Sequence, residues 1–158
     1  MANWTKWDGL FKFCGSQHGI DWKVLKAIAM NESSLGTNKA VAIGLADPKN
    51  VMGSVSQDGK SWGLTQMTIK TAKDYDMLVT PEKLNMPSYC VDLTARHLSR
   101  IMKAFNSTDL RFTEYYVRAY NCGVQGLRNE LQGKSLDRSS EYWRRFQQHL
   151  LLVNTYFS

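Results

Sequence analysis

The sequence predicts a mostly α-helical fold in one domain spanning residues 1–158. Apolar side chains recur at spacings of three and four residues over most of the chain, which is the period of a helix with one buried face. Only three prolines interrupt this pattern, and no internal repeat divides the chain. With 43% hydrophobic and 22% charged residues, a chain of 158 residues lies in the globular range and is long enough to bury a core.

Five segments of the chain carry the helical period. They cover residues 21–36, 69–75, 88–105, 109–123 and 139–153. Asp21 is a suitable N-cap for the first segment, and Gly36 is its expected end. Ser139 or Ser140 is the expected start of the last helix.

The segment between Gly36 and Gly63 lacks the helical period. Its glycines and its proline indicate turns, while the apolar residues at 41–45 and 51–55 would also fit short strands of a β-ribbon. A loop of this length inside a compact helical domain is uncommon and is often functional. An insertion without function is the alternative interpretation.

The formal net charge of +6 favours a polyanionic partner, such as nucleic acid, an anionic cell envelope or an acidic polymer. A charge that serves solubility alone is the alternative. The basic residues are scattered, Arg144 and Arg145 are the only adjacent arginines, and no nucleic-acid recognition motif accompanies them. We therefore expect no nucleic-acid partner.

The three cysteines, Cys14, Cys90 and Cys122, have no spacing that indicates a disulfide framework or a zinc site, although one bridge stays open. No run of about 18 apolar residues exists, so we expect no membrane span. The first residues lack the apolar core of a signal peptide. We therefore expect synthesis in the cytoplasm and delivery by another route.

Glu32 is the first candidate for chemistry. It shares a face of the predicted helix with Trp22, Leu25 and Ala29, which follow one another at helical spacings. An apolar environment removes water from a carboxylate and raises its pKa, and the negative end of the helix dipole acts in the same direction. Such a carboxyl group can donate a proton near neutral pH. A surface position at a frayed helix end is the alternative.

Further motifs follow Glu32 along the chain. The pair Glu32–Ser33 is followed by Gly-Leu-Thr-Gln at residues 63–66, by Ala-Tyr-Asn-Cys-Gly at residues 119–123, and by Tyr142 in the last predicted helix. In order and approximate spacing, this set resembles the motifs of the soluble lytic transglycosylase family, whose fold goose-type lysozymes share. The resemblance covers roughly residues 22–146 and implies a lysozyme-like fold.

The resemblance implies cleavage of the β-1,4 bond between N-acetylmuramic acid and N-acetylglucosamine in the glycan strands of peptidoglycan. Glu32 would protonate the bridging oxygen and then remove the proton of the muramic 6-hydroxyl, which closes a 1,6-anhydro ring. The acetamido oxygen of the substrate is expected to assist in place of a second carboxylate. No metal and no cofactor is needed, and we expect a monomer.

The same resemblance implies which residues contact the glycan. They are Ser33, Gln66, Tyr120, Asn121 and Tyr142. The Gln66 amide can both donate and accept a hydrogen bond, Gly63 lets backbone approach a sugar closely, and the tyrosines offer rigid rings and hydroxyl groups. Core packing is the alternative for both tyrosines. Ser33 could orient the acid by hydrogen bonding or could cap the helix end.

The sequence departs from the family pattern at several places. Thr65 stands where the family usually has Met, and Cys122 replaces a small residue. Asp58 lies five residues before Gly63, near the place where some goose-type lysozymes hold an Asp that positions a hydrolytic water. A second Asp of those enzymes is Thr68 here. We favour the transglycosylase outcome and keep hydrolysis with Asp58 as the alternative.

Two further expectations concern the protein as a whole. A glycan-binding module without catalysis is an alternative of another class, although a pure binder would have no need of a desolvated carboxylate. A short single domain that lacks a signal peptide and a wall-anchoring repeat looks like a bacteriophage lysis or virion enzyme. We expect delivery to the cell wall by that route rather than by export.

Overall fold

The computed structural model describes residues 5–36 and 60–157. Within these ranges the protein is mostly helical, so the predicted fold class is confirmed. The helices are α1 (Asp8–His18), α2 (Trp22–Ser33), α3 (Ile69–Ala72), α4 (Pro81–Leu84), α5 (Pro87–Met102), α6 (Phe112–Cys122), α7 (Val124–Leu131) and α8 (Ser139–Phe157). Two strands, β1 (Ser61–Trp62) and β2 (Met67–Thr68), pair antiparallel. The strands predicted at 41–45 and 51–55 lie outside the described residues, as does Asp58.

Helix α2, which carries Glu32, begins as predicted and ends earlier than predicted. The Asp21 side chain accepts a hydrogen bond from the backbone N–H two residues later, at 2.9 Å, and so caps the helix. The helix ends at Ser33 rather than at Gly36, because Ser34 takes a left-handed φ of 51°. This early end places Glu32 in the last turn of α2.

The other predicted helices are present with shifted ends. The predicted helix 109–123 begins only at Phe112, because the Asp109 carboxylate accepts a hydrogen bond from the Arg111 N–H at 2.8 Å and holds a turn there. Helix α5 covers residues 87–102 instead of 88–105, and α8 starts at Ser139 as expected. Helix propensity and the spacing of apolar residues locate the ends of a helix less exactly than its middle.

The helical period of the sequence does not predict α1, α4 and α7. Helix α1 contains two glycines, which weaken the helical signal. Gly15 is nevertheless required in α1, because a Cβ there would lie 2.5 Å from the Ile20 carbonyl oxygen. Close approach of the α1–α2 connection therefore overrides local helix propensity at this position.

Helix α2 lies at the centre of the core. Its side chains Leu25, Ile28 and Ala29 have no exposed surface, and the helix packs against α1 and α8. One hydrophobic cluster joins α1, α2 and the helices from α5 to α8. A smaller cluster holds the hairpin against α3, α4 and α5 through Met67 and Leu84. Helix α5 contributes to both clusters and so connects the core around α2 with the hairpin.

The hairpin presents the Gly-Leu-Thr-Gln motif as its turn. Ser61 pairs with Thr68 and Trp62 pairs with Met67, so residues 63–66 connect the two strands. This hairpin was not among the predicted strands. Its two-residue strands are too short to show an alternating pattern in the sequence.

The three cysteines all lie in the described residues and are free thiols, so the possible disulfide is absent. None of the described helices is long and apolar enough to cross a membrane. Over the same residues, no cluster of His, Cys, Asp and Glu side chains is arranged to hold a metal ion.

Candidate active site

A pocket of about 840 Å³ lies between the end of α2, the β1–β2 hairpin, the end of α6 and the start of α8. Five of the six predicted site residues line it: Glu32, Gln66, Tyr120, Asn121 and Tyr142. Its volume is typical of sites that bind small ligands or short segments of a polymer. The fold therefore brings motifs that are distant in the sequence to one surface.

Glu32 and Tyr142 are in direct contact in this pocket. The Tyr142 hydroxyl donates a hydrogen bond to Glu32 Oε2 at 3.3 Å, across the interface between α2 and α8. Burial raises the pKa of Tyr142 well above its ordinary value, and the negative charge of Glu32 raises it further. The phenol therefore stays protonated and acts as a donor to the carboxylate at any physiological pH.

Ser33 points away from the pocket. Its side chain is only 1% exposed, and its hydroxyl donates to the Leu64 carbonyl oxygen at 2.6 Å. The Ser33 hydroxyl oxygen in turn accepts a hydrogen bond from the Gly36 N–H at 3.0 Å. Ser33 thus joins the end of α2 to the hairpin turn, and it does not belong to the pocket lining.

Packing inside the protein gives Gly63 a structural reason to be glycine. Its φ is 87°, a left-handed value that favours glycine. A Cβ at this position would lie 2.1 Å from the Leu84 carbonyl oxygen and 2.6 Å from Cys90 Sγ. The glycine therefore lets the hairpin turn press against the end of α4 and against α5.

Gln66 closes the hairpin turn and faces the pocket. Its Nε2 donates to the Gly63 carbonyl oxygen at 2.9 Å, and its backbone N–H donates to the same oxygen at 3.1 Å. Gln66 has a left-handed φ of 51°, which is uncommon for residues other than glycine, asparagine and aspartate. The side-chain amide is thereby held in one place at the pocket wall.

Thr65, the departure from the family pattern, lies beneath the turn. It has no exposed surface, and its hydroxyl hydrogen-bonds with Thr94 Oγ1 at 2.6 Å and with Cys90 Sγ at 3.1 Å. Its backbone carbonyl accepts a hydrogen bond from the Tyr120 hydroxyl at 2.8 Å. The polar side chain at this position is therefore satisfied by α5 and does not reach the pocket.

Tyr120 and Asn121 enter the pocket from the last turn of α6. Tyr120 is partly buried, and burial followed by the charge of Glu32 raises its pKa, so its hydroxyl remains a donor to the Thr65 carbonyl. Asn121 is exposed in the pocket wall, and no hydrogen bond to its side chain is seen among the described residues. Gly123 ends this helix with a φ of 81°.

His97 is a pocket residue that the sequence reasoning did not assign to the site. Its Nδ1 hydrogen-bonds with the Tyr75 hydroxyl at 2.7 Å, and its ring lies 6.0 Å from the Tyr120 ring. Burial, followed by the charge of Arg100, lowers the pKa of His97 to about 4, so the ring is neutral at pH 7. The sequence feature that could have indicated His97 is its position on the apolar face of the predicted helix 88–105.

Asn31 and Arg145 were also not predicted, and both flank the Glu32–Tyr142 pair. Asn31 Nδ2 donates to the Tyr142 carbonyl oxygen at 3.1 Å, and Asn31 Oδ1 hydrogen-bonds with His149 Nδ1. Asn31 therefore joins α2 to α8 beside the acid. These residues of α2 and α8 come together only because the two helices pack against each other, and no motif in the sequence predicts that packing.

Glu32 and Asp74 are the carboxylates of the pocket lining that lie in the described residues. The Asp74 side chain is 58% exposed and lies 3.6 Å from Arg100 Nη1. Asp58, the candidate for a hydrolytic role, lies outside the described residues. The described pocket therefore contains one partly buried carboxylate, Glu32, held by a phenol, and one exposed carboxylate paired with an arginine.

Comparison with known proteins gives one family. The sequence profile of the Transglycosylase SLT domain matches residues 9–142. No significant match was found among curated protein sequences. The matched range contains all of α1 except its first residue, α2 to α7, the hairpin and every predicted site residue up to Tyr142. Because this range is most of the chain, the protein belongs to the family of transglycosylase SLT domains, which act in the degradation of peptidoglycan.

Proposed function

We propose that the protein cleaves the β-1,4 bond between N-acetylmuramic acid and N-acetylglucosamine and leaves a 1,6-anhydro end, with Glu32 as general acid and then general base. The observation that carries this proposal is the position of Glu32. Its carboxylate lines a pocket of about 840 Å³ and is held at 3.3 Å by the buried hydroxyl of Tyr142. Membership of the SLT family supports the substrate class.

The chemistry needs one group that gives a proton and takes one back. The Glu32 carboxyl transfers its proton to the bridging oxygen while the bond between that oxygen and C1 of the muramic sugar breaks. The resulting carboxylate accepts the proton of the 6-hydroxyl as O6 forms its bond to C1, with the acetamido oxygen of the substrate assisting between the two steps. Glu32 ends in its starting form, and no water is consumed.

Tyr142 contributes to both steps through its hydrogen bond to Glu32 Oε2. A hydrogen bond to a carboxylate is strongest while the carboxylate is charged. The phenol therefore stabilises the charged form that exists between the two proton transfers. It also fixes the direction of the carboxyl group relative to the pocket.

The remaining residues place the substrate or the acid. Gln66 and Asn121 offer amide groups to the sugar from the hairpin turn and from the end of α6. Tyr120 holds the hairpin turn through the Thr65 carbonyl and lines the pocket. Ser33 positions Glu32 indirectly, because its hydroxyl fixes the end of α2 to Leu64.

Hydrolysis of the same bond is the alternative, with Asp58 positioning a water molecule. Inverting hydrolysis requires a second carboxylate roughly 6.5–9.5 Å from the acid, with room for the water between them. The exposed, arginine-paired Asp74 is poorly suited to that role. The two outcomes differ by one water in the mass of the product.

We also propose that the chain acts as one catalytic domain and as a monomer. A single hydrophobic cluster contains side chains from α1 near one end of the chain and from α8 near the other. Light scattering of the purified protein tests the monomer directly.

The experiment that tests the proposed function is Glu32→Gln. The amide keeps the shape of the side chain and its contact with Tyr142 but cannot deliver a proton. We expect the rate of clearing of a cell-wall suspension to fall at least about a hundredfold, since general acid–base catalysis supplies roughly 10²–10⁴. The exposed Glu82→Gln, outside the pocket, is the matched control and should clear walls normally. Clearing by Glu32→Gln above about a tenth of the wild-type rate would remove Glu32 from this role. Absence of clearing by the wild type would favour a binding module.

A further inference from the structure

We propose that Arg145 binds a carboxylate carried by the glycan and thereby selects substrates that bear an acidic group next to the bond that is cut. This inference rests on the proposed function, because it assumes that a peptidoglycan strand occupies the pocket. Muramic acid can present such a carboxylate from its lactyl group when the peptide is absent. It can also present one from the peptide stem when the peptide is attached.

The position of Arg145 places its charge beside the reacting bond. Arg145 lies on α8 one helical turn after Tyr142, so both side chains project from the same face of the helix. Both line the pocket that contains Glu32. Burial raises the pKa of Tyr142, and the positive charge of Arg145 opposes that rise.

The guanidinium of Arg145 is available to a ligand. The side chain is exposed, and within the described part of the chain it forms no ion pair. Its neighbour Arg144 differs, because Arg144 Nε lies 2.8 Å from Glu141 Oε2 and the residue does not line the pocket. Arg118 also differs, because it is buried among the carboxylates of Glu114 and Glu130.

The chemistry of the pocket explains why a cation is needed at this place. A sugar ring is neutral and requires only hydrogen-bonding groups, which Gln66 and Asn121 supply. A carboxylate on the substrate would be repelled by Glu32 whenever Glu32 is charged. A planar guanidinium on the next turn offsets that repulsion and matches the two oxygens of a carboxylate. Lys70, the other cation among the described residues of the pocket lining, lies on α3 beside the hairpin and not on α8 with Tyr142.

The test measures binding in the Glu32→Gln background, so that no substrate is consumed and failure of the proposed chemistry cannot imitate failure of this inference. Three soluble ligands of equal sugar number are compared. They are a glycan stripped of peptide, a glycan with intact peptide stems, and an N-acetylglucosamine oligomer, which has no carboxylate. Arg145→Gln is titrated against each, with Arg144→Gln as the matched control and Lys70→Gln as the competing cation.

We expect Arg145→Gln to weaken binding of at least one carboxylate-bearing glycan about fivefold and to leave the N-acetylglucosamine oligomer unchanged. Loss with the stripped glycan identifies the lactyl carboxylate, and loss with the peptide-bearing glycan alone identifies the stem. Arg145→Lys should recover part of the affinity because it keeps the charge.

Three outcomes would overturn the inference. The first is equal loss for all three ligands, which would assign Arg145 to the sugar or to the fold. The second is no loss for any ligand. The third is a loss caused by Lys70→Gln or Arg144→Gln and not by Arg145→Gln. Cleavage by the wild-type protein, measured separately, decides the proposed function and is independent of these results.

Discussion

A single hydrogen bond, from the Tyr142 hydroxyl to Glu32, joins two helices that are distant in the sequence. The ring of Tyr142 is 3% exposed, so its position is set by the core, while the hydroxyl reaches the pocket. The phenol cannot ionise at physiological pH, because burial and the charge of Glu32 both raise its pKa. Such a residue can direct a carboxylate without competing for its proton.

Tyr142→Phe should lower turnover about tenfold and leave the fold intact. A hydrogen bond to a charged group contributes roughly 1.5–3 kcal/mol, and the length of 3.3 Å argues for the lower end of that range. The ring still fills its place in the core, so the melting temperature should change little. Turnover of a soluble glycan and a thermal melt test both statements. Tyr115→Phe, outside the pocket, is the control. Full activity in Tyr142→Phe would mean that the contact with Glu32 has no part in the chemistry.

His97 gives a prediction for the pH dependence of stability. Its pKa is lowered from 6.5 to about 4 by burial and then by Arg100. Between these pH values the unfolded chain binds the proton more readily than the folded protein, so the free energy of unfolding falls as the pH decreases from about 6.5 to about 4. The contribution is complete above pH 6.5 and is on the order of 2–3 kcal/mol. Denaturant unfolding at several pH values measures it.

The comparison that isolates His97 is the same series on His97→Gln. The variant should lose part of the slope between pH 6.5 and 4, while other titrating groups keep their contributions. Burial also lowers the pKa of His149, so this residue makes the free energy of unfolding fall with decreasing pH as well. An unchanged slope in His97→Gln would show that folding does not lower the pKa of His97.

At the scale of elements, the hairpin turn depends on contact with α4 and α5. Gly63 combines a left-handed φ with a backbone carbonyl in the place of its missing Cβ. Gly133 also has a left-handed φ, of 71°, but nothing lies within 4 Å of its Cβ position. Replacing each glycine by alanine therefore separates two costs. Both positions carry the cost of the backbone conformation, and only Gly63 carries the cost of a steric clash.

Gly133→Ala should destabilise the protein by about 1 kcal/mol, because only the backbone conformation is penalised. Gly63→Ala should cost at least a further 1–3 kcal/mol, roughly the range for overpacking, because the Leu84 carbonyl cannot move without shifting α4. It should also reduce activity, since Gln66 follows in the same turn. Denaturant unfolding of both variants measures the difference. Equal destabilisation would show that the turn has room to move.

The helices α6, α7 and α8 are joined by a buried charge network around Arg118. Its guanidinium lies 2.8 Å from Glu114, 3.5 Å from Glu130 and 3.3 Å from Asp137. Burial alone would raise the pKa of Glu130, but hydrogen bonds from Ser139 lower it, so the carboxylate is charged. The network fixes the start of α8, and therefore Tyr142, relative to α6.

Arg118→Ala should destabilise the protein by about 3–5 kcal/mol, because it leaves the Glu130 carboxylate buried without its cation. Arg111→Ala removes an arginine that also pairs with Glu114 but is 53% exposed, and it should cost less than about 1 kcal/mol. The free energies of unfolding of both variants test this contrast. A small effect of Arg118→Ala would indicate that the other residues of the network rearrange to keep the charges satisfied.

At the scale of the whole molecule, the sequence predicts the class of fold and the motif residues that line the pocket. Five of the six predicted site residues meet there, because each motif lies at the end of an element that faces the pocket. Ser33 differs, since its hydroxyl donates to the Leu64 carbonyl oxygen at the turn where the left-handed Ser34 ends α2. The local pattern of apolar and polar residues does not predict where such a turn occurs.

What the sequence cannot predict arises from packing between distant helices. His97, Asn31 and Arg145 reach the pocket because α5, α2 and α8 meet there. A carbonyl on α4 requires glycine at position 63. Each of these features depends on which elements become neighbours, and a single sequence does not reveal that.

The central claim is that Glu32 transfers the proton in both steps and that no water enters the broken bond. The most direct test is mass spectrometry of glycan fragments released by the wild-type protein from purified cell walls. We expect muramic ends that are lighter by one water than reducing ends and that resist borohydride reduction, with no such product from Glu32→Gln. Fragments with ordinary reducing ends would contradict the account and would indicate hydrolysis.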